Sequence, residues 1–207
     1  MQIHAIEADP IRKQSLDKSF QCFATAIIFE RRFAVYQLRL RVLTYLGIVT
    51  PAVVGITYVT YGDESTLTLC FVALAGILGT IQLIVSLWAV VARWDEELEY
   101  SEESSLENRR LSLIFDTHAR MPEVSGAEAT VLVGNANRDL ESLEARDRLK
   151  SVSDGEKRYG YRAALFEKDL VCKCCDKTPS SIEKPSDCKT CGCYRLLPLF
   201  TPIGALR

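Results

Sequence analysis

The spacing of apolar residues changes character several times along the chain. Leu16, Phe20, Phe23 and Ile27 recur at intervals of three and four, which predicts an amphipathic helix. From Leu43 to Tyr61 the periodicity gives way to 19 residues without a charge, about 28 Å of helix and close to the hydrocarbon thickness of a bilayer. After the polar link Gly62-Asp63-Glu64-Ser65, a second uncharged run extends from Leu67 to Ala92. Two such runs on either side of so short a link predict an antiparallel transmembrane hairpin, because apolar runs in soluble core helices are shorter.

Periodicity returns beyond the second run. Trp94 to Met121 reads as a long helix, acidic in its first half and ended by Pro122. Ser125 with Glu128 has the spacing of a capping box and precedes Ala129, Leu132, Val133, Ala136, Leu140 and Leu143 at helical intervals. Ser153 with Glu156 repeats the device ahead of Tyr159, Ala163, Phe166 and Leu170. The expected fold is an all-α membrane protein: a transmembrane helical hairpin, a cytoplasmic helical bundle and a small C-terminal zinc-knuckle segment. The corresponding divisions are an N-terminal amphipathic helix at 1–42, the hairpin at 43–92, a helical region at 93–170, and the knuckle with an apolar tail at 171–207.

Basic residues set the expected orientation. Arg31, Arg32, Arg39 and Arg41 precede the first run and Arg93 follows the second, whereas the link carries only Asp63 and Glu64. Both termini are therefore expected in the cytoplasm. Trp88 and Trp94 lie near one boundary and Tyr58 and Tyr61 near the other, where aromatic rings suit headgroups.

Small residues mark the apolar runs. Gly47, Pro51 and Gly55 recur every four residues, and Ala75 and Gly79 make a small-xxx-small pair beside Gly76. Such spacing clears a helix face for close approach, either within one hairpin or between protomers of a homo-oligomer. Gln82 and Ser86, four apart, are expected to face a protomer contact, a pore lumen, or a hydrogen bond across the hairpin to Thr50 or Thr57.

Composition adds mainly exclusions. Lys and Arg number 25 against 27 Asp and Glu, a formal net charge of -2, so no whole-molecule field favours nucleic acid. There is no P-loop, dinucleotide-binding glycine pattern or nucleophile elbow, and the two histidines, His4 and His118, stand apart, so a non-enzymatic role is expected.

Six of the eight cysteines lie between Cys172 and Cys193, and the polar stretch Met1 to Ser15 reads as lacking a secretory signal, so a reduced cytosolic setting is expected. Cys172 and Cys175 form one C-x2-C pair and Cys188 and Cys191 another. Two such turns can bring four thiolates around Zn2+, with Gly192 giving the second turn a permissive backbone. Cys174 and Cys193 are near enough to replace a neighbour, and a redox thiol pair or an unmetallated segment stays open. The loop between the pairs is too polar to fold unaided, so a closed, structural zinc site would substitute for a core. Lys173, Lys177, Lys184 and Lys189 make the segment locally basic, leaving nucleic acid open as a partner. Leu196 to Ile203 is apolar but proline-broken and too short to span; it is expected to pack on the bundle or knuckle.

Taken in order, Arg31-Arg32-Phe33 to Arg41, the helix with Glu103-Ser-Ser-Leu-Glu-Asn108, Arg162-Ala-Ala-Leu165 and the two cysteine pairs resemble the SLATT superfamily of two-helix bacterial membrane proteins, most closely its mobilome CxxC…CxxC branch. That branch usually has 11 residues between its pairs, where this chain has 12. The resemblance implies an effector of prokaryotic conflict and antiviral defence systems that oligomerises and permeabilises the inner membrane on a cytoplasmic signal. It also implies a sensor or nucleotide-signal-producing partner. The competing expectation is a membrane-anchored zinc-knuckle module that tethers a protein or nucleic acid without forming a pore.

Overall fold

A computed structural model describes residues 10–61, 66–120, 127–182 and 186–192. The regular elements among them are five α-helices: α1 Pro10–Tyr61, α2 Thr66–Val91, α3 Trp94–Arg120, α4 Ala127–Arg148 and α5 Asp154–Glu167. Ser125, Pro122 and Leu196 to Ile203 lie outside the described residues, so the first capping box and the placement of the apolar tail are not seen. By contacts the chain divides into two units, Met1–Arg32 with Ser101–Arg207, and Phe33–Tyr100. The first unit thus joins sequence-distant segments, and α1 supplies residues to both units.

In the first unit α1, α3 and α4 share a core of Cys22, Leu111, Phe115, Ala136, Leu140 and Leu143, with Ile114 and Val133 against it. The buried line on α1 runs through Ser15, Ser19, Cys22, Ala26 and Phe29. Leu16, Phe20, Phe23 and Ile27, the apolar stripe of the expected amphipathic helix, are only half-buried and flank that line. The reason is close helix approach. The inward face of α3 carries Ser101, Ser104, Ser105, Asn108 and Ser112, all buried, and small side chains on both helices let the backbones draw together. Three of them find partners across the core: Ser112 donates to the Ser19 carbonyl at 2.8 Å, and Ser104 and Asn108 donate to the Asp147 carboxylate at 2.8 and 3.2 Å. Buried hydroxyls of this kind cost little once bonded. The large apolar flanks serve other contacts, with the Arg109 guanidinium and Lys168 ammonium lying over the Phe23 ring.

Helix α5 begins as its sequence predicts. The Ser153 hydroxyl accepts from the Glu156 N–H, and the Glu156 carboxylate accepts from the Ser153 N–H, the reciprocal bonds of a capping box. Its buried face differs from the expected one. Gly160, Ala163, Ala164 and Leu165 are buried together with Glu156 and Arg162, whereas Phe166 and Leu170 are exposed. Gly160 explains part of this rotation: a Cβ there would sit 2.6 Å from the Ala24 carbonyl oxygen and 2.6 Å from Ile28 Cγ1, so α5 crosses α1 at a separation only glycine permits.

The second unit holds the apolar parts of α1 and α2, two helices long and apolar enough to cross a membrane. The most apolar stretches of both are almost entirely unburied, and residues such as Ile48, Val59, Leu69 and Val90 point outward. The helices meet at Gly47, where an added Cβ would lie 2.7 Å from Gln82 Nε2; the Gln82 amide also reaches the Leu43 carbonyl at 3.4 Å. Gln82 therefore bonds neither Thr50 nor Thr57, and Thr57 donates back to Val53 in its own helix. Ser86 and Ala75 are half-buried. Gly55, Gly76 and Gly79 have nothing within 4 Å of an added Cβ, so the small-residue stripe divides into one contact position and an open remainder. Pro51 lies inside α1 and removes the N–H that would bond the Gly47 carbonyl. In the same unit Arg39 is 1% exposed, its guanidinium 5.4 Å from both the Tyr36 and Trp94 rings.

Candidate metal centre

The route to the cysteine cluster starts at the end of α5. The Asp169 N–H bonds the Phe166 carbonyl and the Leu170 N–H bonds the Leu165 carbonyl, with Asp169 in the left-handed region at φ 49. This is a Schellman ending, which turns the chain sharply off the helix. Cys172 follows two residues later, beside the last turn of α5.

Each cysteine pair is held in a backbone turn of matching form. The Asp176 N–H donates to the Cys172 carbonyl at 2.9 Å, and the Gly192 N–H donates to the Cys188 carbonyl at 2.8 Å. In the first turn Asp176 takes φ 50, and the Cys172 N–H returns to the Lys177 carbonyl. In the second the glycine has a different purpose from the one its sequence suggests. Gly192 is needed for space, because an added Cβ would fall 1.9 Å from the Ser186 carbonyl oxygen, a backbone atom that cannot step aside.

The two turns bring the thiols of Cys172, Cys175, Cys188 and Cys191 within 4.8 Å of one another. Cys175 Sγ and Cys191 Sγ are 3.8 Å apart. A tetrahedral ion with metal–sulfur bonds of about 2.3 Å requires sulfurs roughly 3.8 Å apart, so the cluster has the dimensions of a four-thiolate metal site. Cys174 is exposed, and Cys193 lies outside the described residues. Cys172 and Cys191 are buried and Cys175 and Cys188 half-buried, packed with Leu165, Phe20 and Tyr161. Phe20 and Tyr161 meet edge to face at 5.4 Å, which joins the cluster to both α1 and α5.

The electrostatics prepare the thiols unequally. Backbone N–H groups of Cys191 and Thr190 bring the Cys188 thiol down to about 6. Burial, followed by the neighbouring thiols, pushes Cys191 up to about 12, and burial also raises Cys175. A divalent ion would overcome these costs together by replacing the thiol protons with one doubly charged cation bound to all four sulfurs. The all-sulfur donor set suits a soft or borderline cation and provides four protein ligands, the composition of a closed site.

Sequence spacing pointed to these four cysteines but not to what supports them. Arg162, 5% exposed on α5, donates from Nε to the Ser181 carbonyl at 2.8 Å and from Nη1 to the Ser186 hydroxyl and the Cys191 carbonyl at 3.2 and 3.1 Å. The available signal was an arginine inside the otherwise apolar stretch Tyr161–Phe166, where a charge needs a partner.

Fold and site together define an α-helical protein with a four-cysteine metal site docked on its helices and two long, outward-facing apolar helices. The chain belongs to the Mobilome CxxCx(11)CxxC protein family, whose model matches residues 12–194. No curated protein and no solved structure matches it. Twelve residues separate Cys175 from Cys188 here, one more than in the family's description.

Proposed function

We propose that this protein is a membrane effector of the SLATT type in a prokaryotic defence system, which oligomerises and permeabilises the inner membrane on a cytoplasmic signal. The observation that carries this reading is the outward display of apolar surface on the two longest uncharged runs. A helix that is apolar all round and almost entirely unburied needs lipid as its solvent. Topology follows from the flanking arginines, with both termini and the cysteine cluster in the cytoplasm. Family membership supports a mobile-element context, and the sequence resemblance supplies the effector role.

The metal is zinc, held by Cys172, Cys175, Cys188 and Cys191 in a structural role: it ties the chain after α5 to α1 and α5, a small polar segment otherwise short of core. The open faces at Gly55, Gly76 and Gly79 favour assembly, since a second copy could approach closely there. An oligomer would draw polar lining from Ser86 on α2, with Gln82 four residues away already reaching the Leu43 carbonyl and available to a lumen only if the two helices rearrange.

Purified protein reconstituted into dye-loaded vesicles, and cells expressing it with its genomic neighbours, test the reading. Leakage and depolarisation dependent on the signal are expected. Protein that stays soluble without detergent would remove the membrane, and firmly inserted protein that never depolarises cells would remove the pore. In the second case the exposed Lys173, Lys177 and Lys189 around the metal site favour a tether, detected as salt-sensitive nucleic-acid binding.

A further inference from the structure

We propose that Arg162 is a positioning residue of the metal centre: its guanidinium holds the second cysteine pair in ligating geometry and sets a permanent positive charge against the thiolates. This inference rests on the metal reading above. Arg162 belongs to α5, outside both pairs, and its three acceptors bracket the returning chain: the Ser181 carbonyl, the Ser186 hydroxyl and the carbonyl of the ligand Cys191. Ser186 Oγ in turn lies 3.9 Å from Cys191 Sγ, so the guanidinium stands one hydroxyl from a ligating sulfur. At the same place the backbone of Ser186 presses on Gly192, which leaves the turn little freedom to re-form around a different anchor.

Charge gives the second half of the argument. These acceptors are two carbonyls and a hydroxyl, none of them ionised, whereas a buried guanidinium stays protonated and needs an opposing charge. Four thiolates around a divalent ion carry a net charge of minus two, which supplies it. Groups behind the ligands of a metal site typically change affinity 10–100-fold when removed. Lysine would keep the charge but not the planar fork that reaches several acceptors at once.

The test uses the full chain in detergent, loaded with Co2+ and challenged with a chromophoric chelator, for wild type, Arg162→Gln and Arg162→Lys. Wild type should bind one equivalent with the absorption of a tetrahedral thiolate site. Arg162→Gln should bind roughly 10–100-fold more weakly, with altered cobalt bands and unchanged helical circular dichroism, and Arg162→Lys should fall between. Wild-type affinity and spectrum in Arg162→Gln would overturn the inference and leave the metal centre standing. Full recovery in Arg162→Lys would overturn the fork, and this variant decides the matter if the glutamine protein does not fold. Wild type that binds no metal would remove the centre and the inference together.

Discussion

Arg32 and Glu156, 124 residues apart in sequence, meet as a buried two-pronged ion pair: Nε reaches Oε1 at 2.7 Å and Nη2 reaches Oε2 at 2.9 Å. Glu156 is also the carboxylate of the α5 capping box, so one side chain both starts that helix and fastens it to α1. Arg32 extends the joint by donating to the carbonyls of Lys150 and Ser151, the turn that precedes α5. The position of α5, and with it the platform for the metal centre, depends on this charge pair as well as on the buried Ala163, Ala164 and Leu165.

Replacing Glu156 with Gln should therefore be costly. It leaves the Arg32 guanidinium buried without its counter-charge, a loss of about 3–5 kcal/mol. Chemical denaturation of the full chain, followed by circular dichroism, would measure it. A loss below about 1 kcal/mol would mean that water or another acceptor already serves Arg32.

The same pair gives a pH signature. Burial by itself would raise the Glu156 carboxyl, but hydrogen bonds and charge from Arg32, with the Ser153 N–H, hold it below the usual glutamate range. A depressed carboxyl contributes stability that is present above its unfolded value of about 4.3 and lost as pH falls through the folded value. The stability gap between wild type and Glu156→Gln should accordingly be wide at neutral pH and close in acid. A gap that stays constant well below pH 4 would contradict the assignment.

Much of the scaffold was legible because its signals are local. Uncharged runs, the Ser153–Glu156 box and the two C-x2-C pairs each declare themselves within a few residues. The facing of α1 and α5 was not legible in this way. Periodicity pointed to Leu16, Phe20, Phe23 and Ile27, but burial followed Ser15, Ser19, Cys22 and Ala26, because α3 brings a face of serines that selects small partners. Phe166 and Leu170 were expected inside and lie exposed, displaced by Glu156 and Arg162, whose partners come from distant segments. Charged residues are ordinarily read as surface, and only the fold reveals which of them have found a buried partner.

Two glycines should respond oppositely to alanine. At Gly160 the new methyl would meet the Ala24 carbonyl and Ile28 at 2.6 Å, so Gly160→Ala must push α5 off α1, at about 1–3 kcal/mol for overpacking. At Gly134, exposed on α4 with nothing within 4 Å, Gly134→Ala gains helix propensity and should stabilise by about 0.5–1 kcal/mol. Equal effects from the two substitutions in denaturation experiments would refute the close crossing of α1 and α5.

The metal ligands separate most cleanly from their neighbour in the same cluster. Cys191→Ser should abolish stoichiometric metal, because a buried hydroxyl is a poor substitute for thiolate and Cys191 lies 3.8 Å from Cys175. Cys174→Ser should keep the full equivalent, since that side chain is exposed while the other four thiols lie within 4.8 Å of one another. Elemental analysis gives the stoichiometry, and limited proteolysis gives the consequence. Without metal, residues 171–192 lose the link that holds the two turns against Phe20 and Tyr161, and cleavage there should accelerate while the core of α1, α3 and α4 resists. If Cys174→Ser emptied the site and Cys191→Ser did not, the ligand set would have to be redrawn around the exposed cysteine.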